Sequence, residues 1–98
     1  MSIYLPSQLN KTVTNAATRV QFSTTTQPFR LAVIQANAAN GGTIYIGNSS
    51  VSSTVYGVAL VAKASIAIGS SGNDPIFDFI NLYADTSNSG DGFSVLYY

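Results

Sequence analysis

The sequence predicts an all-β domain, either an antiparallel β-sandwich or a small jelly-roll-like barrel of about six to eight short strands. Strand-like segments rich in β-branched and aromatic residues recur along the chain at a spacing of roughly 8–12 residues. Clusters of Asn, Gly, Ser and Pro, which favour turns, separate these segments. No stretch carries the apolar period of an amphipathic helix over a helical length.

Residues 1–16 are expected to form an extended N-terminal arm, and residues 17–98 a single β-sandwich domain. Pro6 excludes a regular central strand in the arm, so a strand there would lie at a sheet edge. A frayed terminus is the alternative for this segment. The alternation over residues 17–24, with Val20 and Phe22 on one face, predicts a half-buried strand.

The strongest local signal is Asn40-Gly41, because both residues tolerate the positive φ of a type I′ turn. This dipeptide predicts a hairpin between a strand at 29–36 and a strand at 43–47. The first of these strands has apolar residues on both faces, so we expect it to be central in its sheet. The side chains expected to share one of its faces are Phe29, Leu31 and Val33.

Residues 58–68 predict one kinked strand or two short strands around Lys63; a helix is the competing interpretation, because alanine is abundant here. A loop is predicted at 69–75. The apolar period changes at Ile80-Asn81, which indicates a bulge or a short helical turn before a strand. A last strand at 93–98 is expected to point Phe93, Val95 and Tyr97 one way and Ser94, Leu96 and Tyr98 the other.

Charged residues make up only 8% of the 98 residues, and the formal net charge is zero. Capture of nucleic acid or of an anionic membrane surface needs clustered Lys and Arg, so neither partner is expected. The longest apolar run, 58–68, is also far short of the ~20 residues that span a bilayer. A polar but uncharged surface suits a protein that is packed against neighbouring subunits.

The chain contains no His and no Cys. Nucleophilic catalysis that depends on a His base or a Cys thiolate is therefore excluded, as are zinc sites built from nitrogen and sulfur ligands. We expect no enzymatic activity, no cofactor and no metal. Two acidic loops are weighed as calcium sites, although neither has the spacing of a calcium-binding loop, and solvated turns are the default interpretation. Their residues are Asn73, Asp74 and Asp78 in the first, and Asp85, Asn88 and Asp91 in the second.

The tyrosines are candidates for a protein interface, where tyrosine is enriched, with a sugar-stacking face as the alternative. Arg19 and Arg30 have few acidic residues near them in sequence, so they are expected to pair with Asp78, with Asp85 or with a partner chain. The complete set of candidate interface residues is Tyr4, Tyr45, Tyr56, Tyr97, Tyr98, Arg19 and Arg30.

A set of short motifs is spread over residues 19–96. They are Arg19-Val20-Gln21-Phe22, residues 31–36, 40–47 (NGGTIYIG), Val51, Gly57-Val58-Ala59-Leu60, 79–85 (FINLYAD) and Val95-Leu96. With these motifs, the segment resembles a group of small virion proteins from tailed bacteriophages. Similar chains often carry a glycine and an acidic residue where this chain has Val61-Ala62-Lys63-Ala64, so that loop is expected to differ.

The resemblance implies an all-β structural component of the virion. We therefore expect a capsid decoration or cement protein that bridges neighbouring major capsid subunits, as a homo-oligomer, with a trimer favoured. A neck, tail or fibre-attachment protein is one alternative. A carbohydrate-binding module on the virion surface is another.

Overall fold

The computed structural model describes residues 6–69 and 77–98, which form ten β-strands and one short 3₁₀ helix, with no α-helix in these two segments. The 3₁₀ helix spans Phe79–Asn81, and the residue before it, Asp78, caps it by accepting a hydrogen bond from the Ile80 amide. The strands are β1 (Ser7–Thr12), β2 (Val20–Gln21), β3 (Pro28–Phe29), β4 (Leu31–Ala36), β5 (Ile44–Gly47), β6 (Val58–Leu60), β7 (Ser65–Gly69), β8 (Phe77–Asp78), β9 (Tyr83–Thr86) and β10 (Gly92–Tyr97).

Eight of these strands form two four-stranded sheets in which every pairing is antiparallel. The first sheet has the order β1-β10-β4-β7, and the second has the order β2-β9-β5-β6. Strands β3 and β8 make a small separate ribbon. The sheets do not close into a barrel, so the predicted all-β antiparallel fold is confirmed in its sandwich form.

The core lies between the two sheets and follows the alternation of their strands. Ala32 and Ile34 of the first sheet and Ile44 and Ile46 of the second are buried, while their neighbours along each strand point outward. A phenylalanine cluster fills one part of this core, and Phe79 packs against Phe29 at a ring-centroid distance of 4.2 Å. All five phenylalanines make ring contacts in this cluster: Phe22, Phe29, Phe77, Phe79 and Phe93.

The predicted hairpin at Asn40-Gly41 is wrong, because β4 and β5 belong to different sheets. Neither Asn40 nor Gly41 has a positive φ. The connecting loop instead crosses from one sheet to the other. In this loop, Asn40 forms hydrogen bonds and Gly42 allows a close approach to a second loop. The Asn40 side chain bonds to the Gly92 backbone in both directions, at 2.8 and 2.9 Å. A Cβ at Gly42 would lie only 2.9 Å from Asn88 Cβ, so the close approach of the two loops requires a glycine there.

The continuous strand predicted at 29–36 is interrupted at Arg30. The amides of Arg30 and Leu31 both donate to the Tyr98 carbonyl, at 2.7 and 3.2 Å, which is the arrangement of a β-bulge. The extra residue reverses the inside–outside alternation. The prediction that Phe29, Leu31 and Val33 share a face is therefore wrong, because Phe29 is buried whereas Val33 is exposed.

Several other sequence predictions agree with the structure. Strand β4 is central, between β10 and β7. The 58–68 segment is two strands, β6 and β7, and Lys63 between them has a φ of 71°. The period change near Ile80 is the 3₁₀ turn before β9. The strand predicted at 17–24 is reduced to Val20–Gln21, and the loop predicted at 69–75 lies outside the described residues except for Gly69.

Strand β1 places part of the predicted N-terminal arm at the edge of the first sheet. It starts directly after Pro6 and pairs with β10 over its whole length, from Ser7 opposite Tyr97 to Thr12 opposite Gly92. Pro6 has no amide hydrogen to donate to a neighbouring strand. A sheet therefore tolerates it at the start of an edge strand such as β1.

Candidate functional site

The outward-pointing side of the first sheet, here called the outer face, is uncharged across all four strands. One row of paired residues across it is Gln8, Leu96, Val33 and Ala67, and the next is Asn10, Ser94, Gln35 and Ser65. None of these eight side chains is ionisable. A second protein surface can cover these two rows without burying an unpaired charge of this chain.

One end of the outer face is apolar. Leu96 is 52% exposed, Val33 is 39% exposed and Tyr98 is 47% exposed, and these are three of the six large hydrophobic side chains exposed among the described residues. Two shallow depressions of about 290 Å³ each lie on this face, and Val33 and Leu96 line both. Clustered exposed apolar groups are more informative about binding than the same groups scattered singly.

A second aromatic site lies on the side of the second sheet. The rings of Tyr45 and Tyr56 are 5.0 Å apart and tilted by 40°. Tyr56 is 49% exposed and the neighbouring Val55 is 58% exposed. A shallow depression of about 260 Å³ beside them is lined by Gly47, Asn48, Val55, Tyr56 and Gly57.

The structure therefore divides the candidate tyrosines between separate places. Tyr98 lies at the apolar end of the outer face, whereas Tyr45 and Tyr56 pair on the other sheet. Tyr97 turns inward, where its ring meets that of Phe79 edge-on at 4.7 Å and its hydroxyl accepts a hydrogen bond from the Gln27 side chain. Tyr4 lies outside the described residues.

The candidate arginines lie on loops next to strands, and the aspartates expected to pair with them bond to the backbone. Arg19 is exposed just before β2, and Arg30 is half-buried at the bulge between β3 and β4. Asp78 Oδ1 accepts hydrogen bonds from the Gln27 amide at 2.8 Å and the Ile80 amide at 2.9 Å. Asp85 Oδ1 accepts one from the Thr86 amide at 2.8 Å. Both carboxylates therefore have backbone donors as partners.

Asp91 ties together the two loops that meet at one end of the sandwich. Its Oδ1 accepts a hydrogen bond from the Gly41 amide at 3.0 Å, and its Oδ2 accepts one from the Gly42 amide at 2.7 Å. The Thr86 hydroxyl donates to Oδ2 at 3.3 Å. The carboxylate thus occupies a pair of backbone amides that could otherwise receive an external anion.

This arrangement bears on the calcium hypothesis for the second acidic loop. The Asp91 oxygens already accept three hydrogen bonds, so few of the roughly four lone-pair sites of the carboxylate remain for a cation. Within 6–69 and 77–98, no group of three or more His, Cys, Asp or Glu side chains is placed to hold a metal ion. Asn73 and Asp74 of the first acidic loop lie outside the described residues.

Two exposed apolar residues of the outer face, Leu96 and Val33, are not among the interface residues predicted from the sequence. The alternation expected at 93–98 already placed Leu96 beside Tyr98, so that signal was present in the sequence. Val33 was predicted to share a face with Phe29, because the prediction assumed uninterrupted alternation and did not include the bulge at Arg30.

Comparison with known proteins adds no assignment: no family model, curated protein or solved structure matches this chain. In the segments that the structure describes, no helix has the length and apolar character needed to cross a membrane.

Proposed function

We propose that this chain is a non-enzymatic structural protein of a tailed-bacteriophage particle. Its role is that of a capsid decoration or cement protein that bridges neighbouring major capsid subunits in the virion. The sequence resemblance supplies the class of particle, and the outer face of the first sheet supplies the contact surface.

The observation that carries this proposal is the uncharged outer face with its exposed Leu96, Val33 and Tyr98. Apolar groups exposed together favour burial against a partner, at roughly 25 cal/mol per Å² removed from water. A single contact of this kind is weak. Repetition of the contact around a shell makes it effective, because each bound copy joins subunits that other copies also hold.

Substitution of the outer face tests the proposal directly. Val33→Asp introduces a charge in the middle of the face, and Val55→Asp is its matched control on the second sheet's side, where the valine is more exposed. We expect Val33→Asp protein to fail to attach to particles that lack the wild-type protein, while Val55→Asp protein attaches. Equal attachment of both variants would refute the assignment of the surface.

The cement role has its own test. Particles that lack the protein should release their genome at a lower temperature than complete particles, and adding purified protein should restore the release temperature. Unchanged heat release would contradict a cement role. A copy number of about a dozen or fewer per particle, counted by electron microscopy, would instead place the protein in the neck, tail or a fibre attachment.

The Tyr45–Tyr56 pair favours a second candidate function, the binding of carbohydrate on the virion surface. Tyrosine rings present an apolar face with a polar hydroxyl, which suits the faces and rims of pyranose rings. Immobilised mono- and disaccharides are the probe. Binding that is lost in Tyr56→Ala but kept in Tyr98→Ala, a comparably exposed tyrosine on the other sheet, would support this function. Absence of binding by the wild-type protein would remove it.

A further inference from the structure

Strand β7 is an edge strand whose own five residues carry no guard against pairing. It hydrogen-bonds to β4 on one side, and no strand among the described residues covers its other side. Its sequence, Ser65-Ile66-Ala67-Ile68-Gly69, has no charge and no proline. A charge and a bulge lie just before it, where the Lys63 amide and the Ala64 carbonyl both bond to Ala36, at 3.1 and 2.9 Å. Natural sheets usually guard such an edge with a charge, a proline, a bulge or a very short strand.

The other sheet edges in the described part of the chain carry such guards. Strand β1 follows Pro6 and contains Lys11. Strands β2 and β6 are only two and three residues long. The contrast makes β7 the edge best suited to accept another strand.

The hydrogen bonds between β4 and β7 show which backbone groups of β7 point away from β4, toward the free edge of the sheet. The Ala36 amide donates to the Ala64 carbonyl at 2.9 Å, and the register then places Ile34 opposite Ile66 and Ala32 opposite Ile68. Hydrogen-bonded and non-bonded pairs alternate along an antiparallel ladder. The amides and carbonyls of Ile66 and Ile68 therefore point at β4, and those of Ser65, Ala67 and Gly69 point at the free edge.

The sequence of the strand is also nearly symmetric about Ala67. An isoleucine lies on each side of this alanine, and a small residue, Ser65 or Gly69, lies at each end. We propose that two copies of this chain associate through β7, antiparallel and around a two-fold axis at Ala67. This register sets Ser65 opposite Gly69 of the second copy and Ala67 opposite its own counterpart. Every outward-facing amide and carbonyl of the strand is then paired, in about six intermolecular hydrogen bonds.

Side-chain packing supports the same register. Ile66 and Ile68 point inward and pack against the core, but both are only half-buried because the sheet ends at β7. In the two-fold pair, Ile66 lies opposite Ile68 of the second copy, so each covers the other's exposed flank. The outward-pointing residues of the strand are all small and leave the backbones free to approach. The two four-stranded sheets would join into one of eight strands, and their uncharged outer faces would become continuous.

We propose this two-fold pairing in place of the expected trimer, which stays an untested prediction. The pairing does not depend on the virion role, since a protein that decorates a shell as a monomer would fail this test and still satisfy the particle experiments above.

Light scattering coupled to size-exclusion chromatography tests the proposal on the full chain. The wild-type protein, with a chain mass of 10.3 kDa, should approach twice that mass as its concentration rises. Ala67→Lys places like charges opposite each other at the axis and should raise the dissociation constant by at least about tenfold. Ala59→Lys is the matched control: it makes the same change at an exposed alanine of edge strand β6 and should leave the dimer intact.

A second variant and a second measurement keep the test independent of folding. Ala67→Pro removes an amide that faces the partner but none that bonds to β4, so we expect a folded monomer with unchanged circular dichroism. Amide hydrogen exchange at Ser65, Ala67 and Gly69 should slow as wild-type concentration rises. A monomer or trimer at high concentration would overturn the proposal. So would protection of these amides in samples that light scattering shows to be monomeric, which would mean that the chain's own residues cover the edge.

Discussion

Asp91 offers the sharpest test of how the two sheets are joined. Asp91→Asn keeps the size of the side chain but replaces one oxygen with an NH₂ group. Because the Gly41 and Gly42 amides donate to different oxygens of Asp91, the asparagine can accept only one of them. The other amide hydrogen then faces an NH₂ group, and the site loses its charge.

The magnitude follows from these contacts. A hydrogen bond to a charged group contributes about 1.5–3 kcal/mol, and an unsatisfied buried polar group costs a similar amount. The Asp91 side chain is only 6% exposed, but Gly41 is exposed and water can replace part of what its amide loses. We therefore expect Asp91→Asn to lower the free energy of unfolding by about 2–3 kcal/mol. For a domain of this size, that is a fall in melting temperature of roughly 8–24 °C.

Asp78 provides the matched control. Its two backbone hydrogen bonds, from Gln27 and Ile80, both end on Oδ1. The amide oxygen of an asparagine can therefore accept both, and Asp78→Asn should cost only about 1 kcal/mol or less. Urea denaturation of the two variants, followed by circular dichroism, measures the difference. Equal losses in the two variants would refute the argument that the two separate oxygens of Asp91 are what matters.

Four further outcomes follow from the packing. Gly42→Ala should destabilise the fold by about 1–3 kcal/mol in urea denaturation, because its new Cβ would collide with Ser87 and Asn88. Ala17→Gly should stabilise it by about 0.5–1 kcal/mol by the same measurement, because Ala17 has a φ of 66° that glycine adopts without strain. Phe79→Ala should cost about 3–5 kcal/mol, because it removes the ring between Phe29 and Tyr97, and loss of the folded circular dichroism signal in mild urea would show it. Addition of calcium or of a chelator should leave the wild-type melting temperature unchanged, and a calcium-dependent rise that Asp91→Asn abolishes would contradict the role assigned to Asp91.

The fold class was predictable because alternation and turn signals are local properties of the sequence. The strand at 93–98 needed only its own period, and the structure has buried Phe93 and Val95 with exposed Leu96. The pairing of strands was less accessible, because it depends on residues distant in sequence. Asn40-Gly41 has the composition of a hairpin turn, but its hydrogen-bond partners, Gly92 and Asp91, lie about fifty residues away.

The candidate surface residues could likewise be predicted only where the signal is local in the sequence. Tyr98 could be proposed from its terminal position and Tyr56 from its type, but their separation onto different sheets depends on the topology. The exposure of Val33 could not be predicted, because the bulge at Arg30 changes the face on which Val33 lies. The bulge forms where two successive amides share the Tyr98 carbonyl. Residues 29–36 contain no local feature that indicates the bulge, because the shared acceptor belongs to a residue that is distant in sequence.

The use of the carboxylates connects the composition of this chain to its proposed role. Each of the three aspartates in the described residues, Asp78, Asp85 and Asp91, accepts at least one backbone amide, and two of them are buried. At these three positions, the carboxylates hold loops and a helix cap in place. Net charge ordinarily keeps copies of a protein apart in solution. A chain whose described aspartates bond to its own backbone, and which presents an uncharged sheet face and an edge strand with no charge or proline within it, suits close packing against neighbouring subunits.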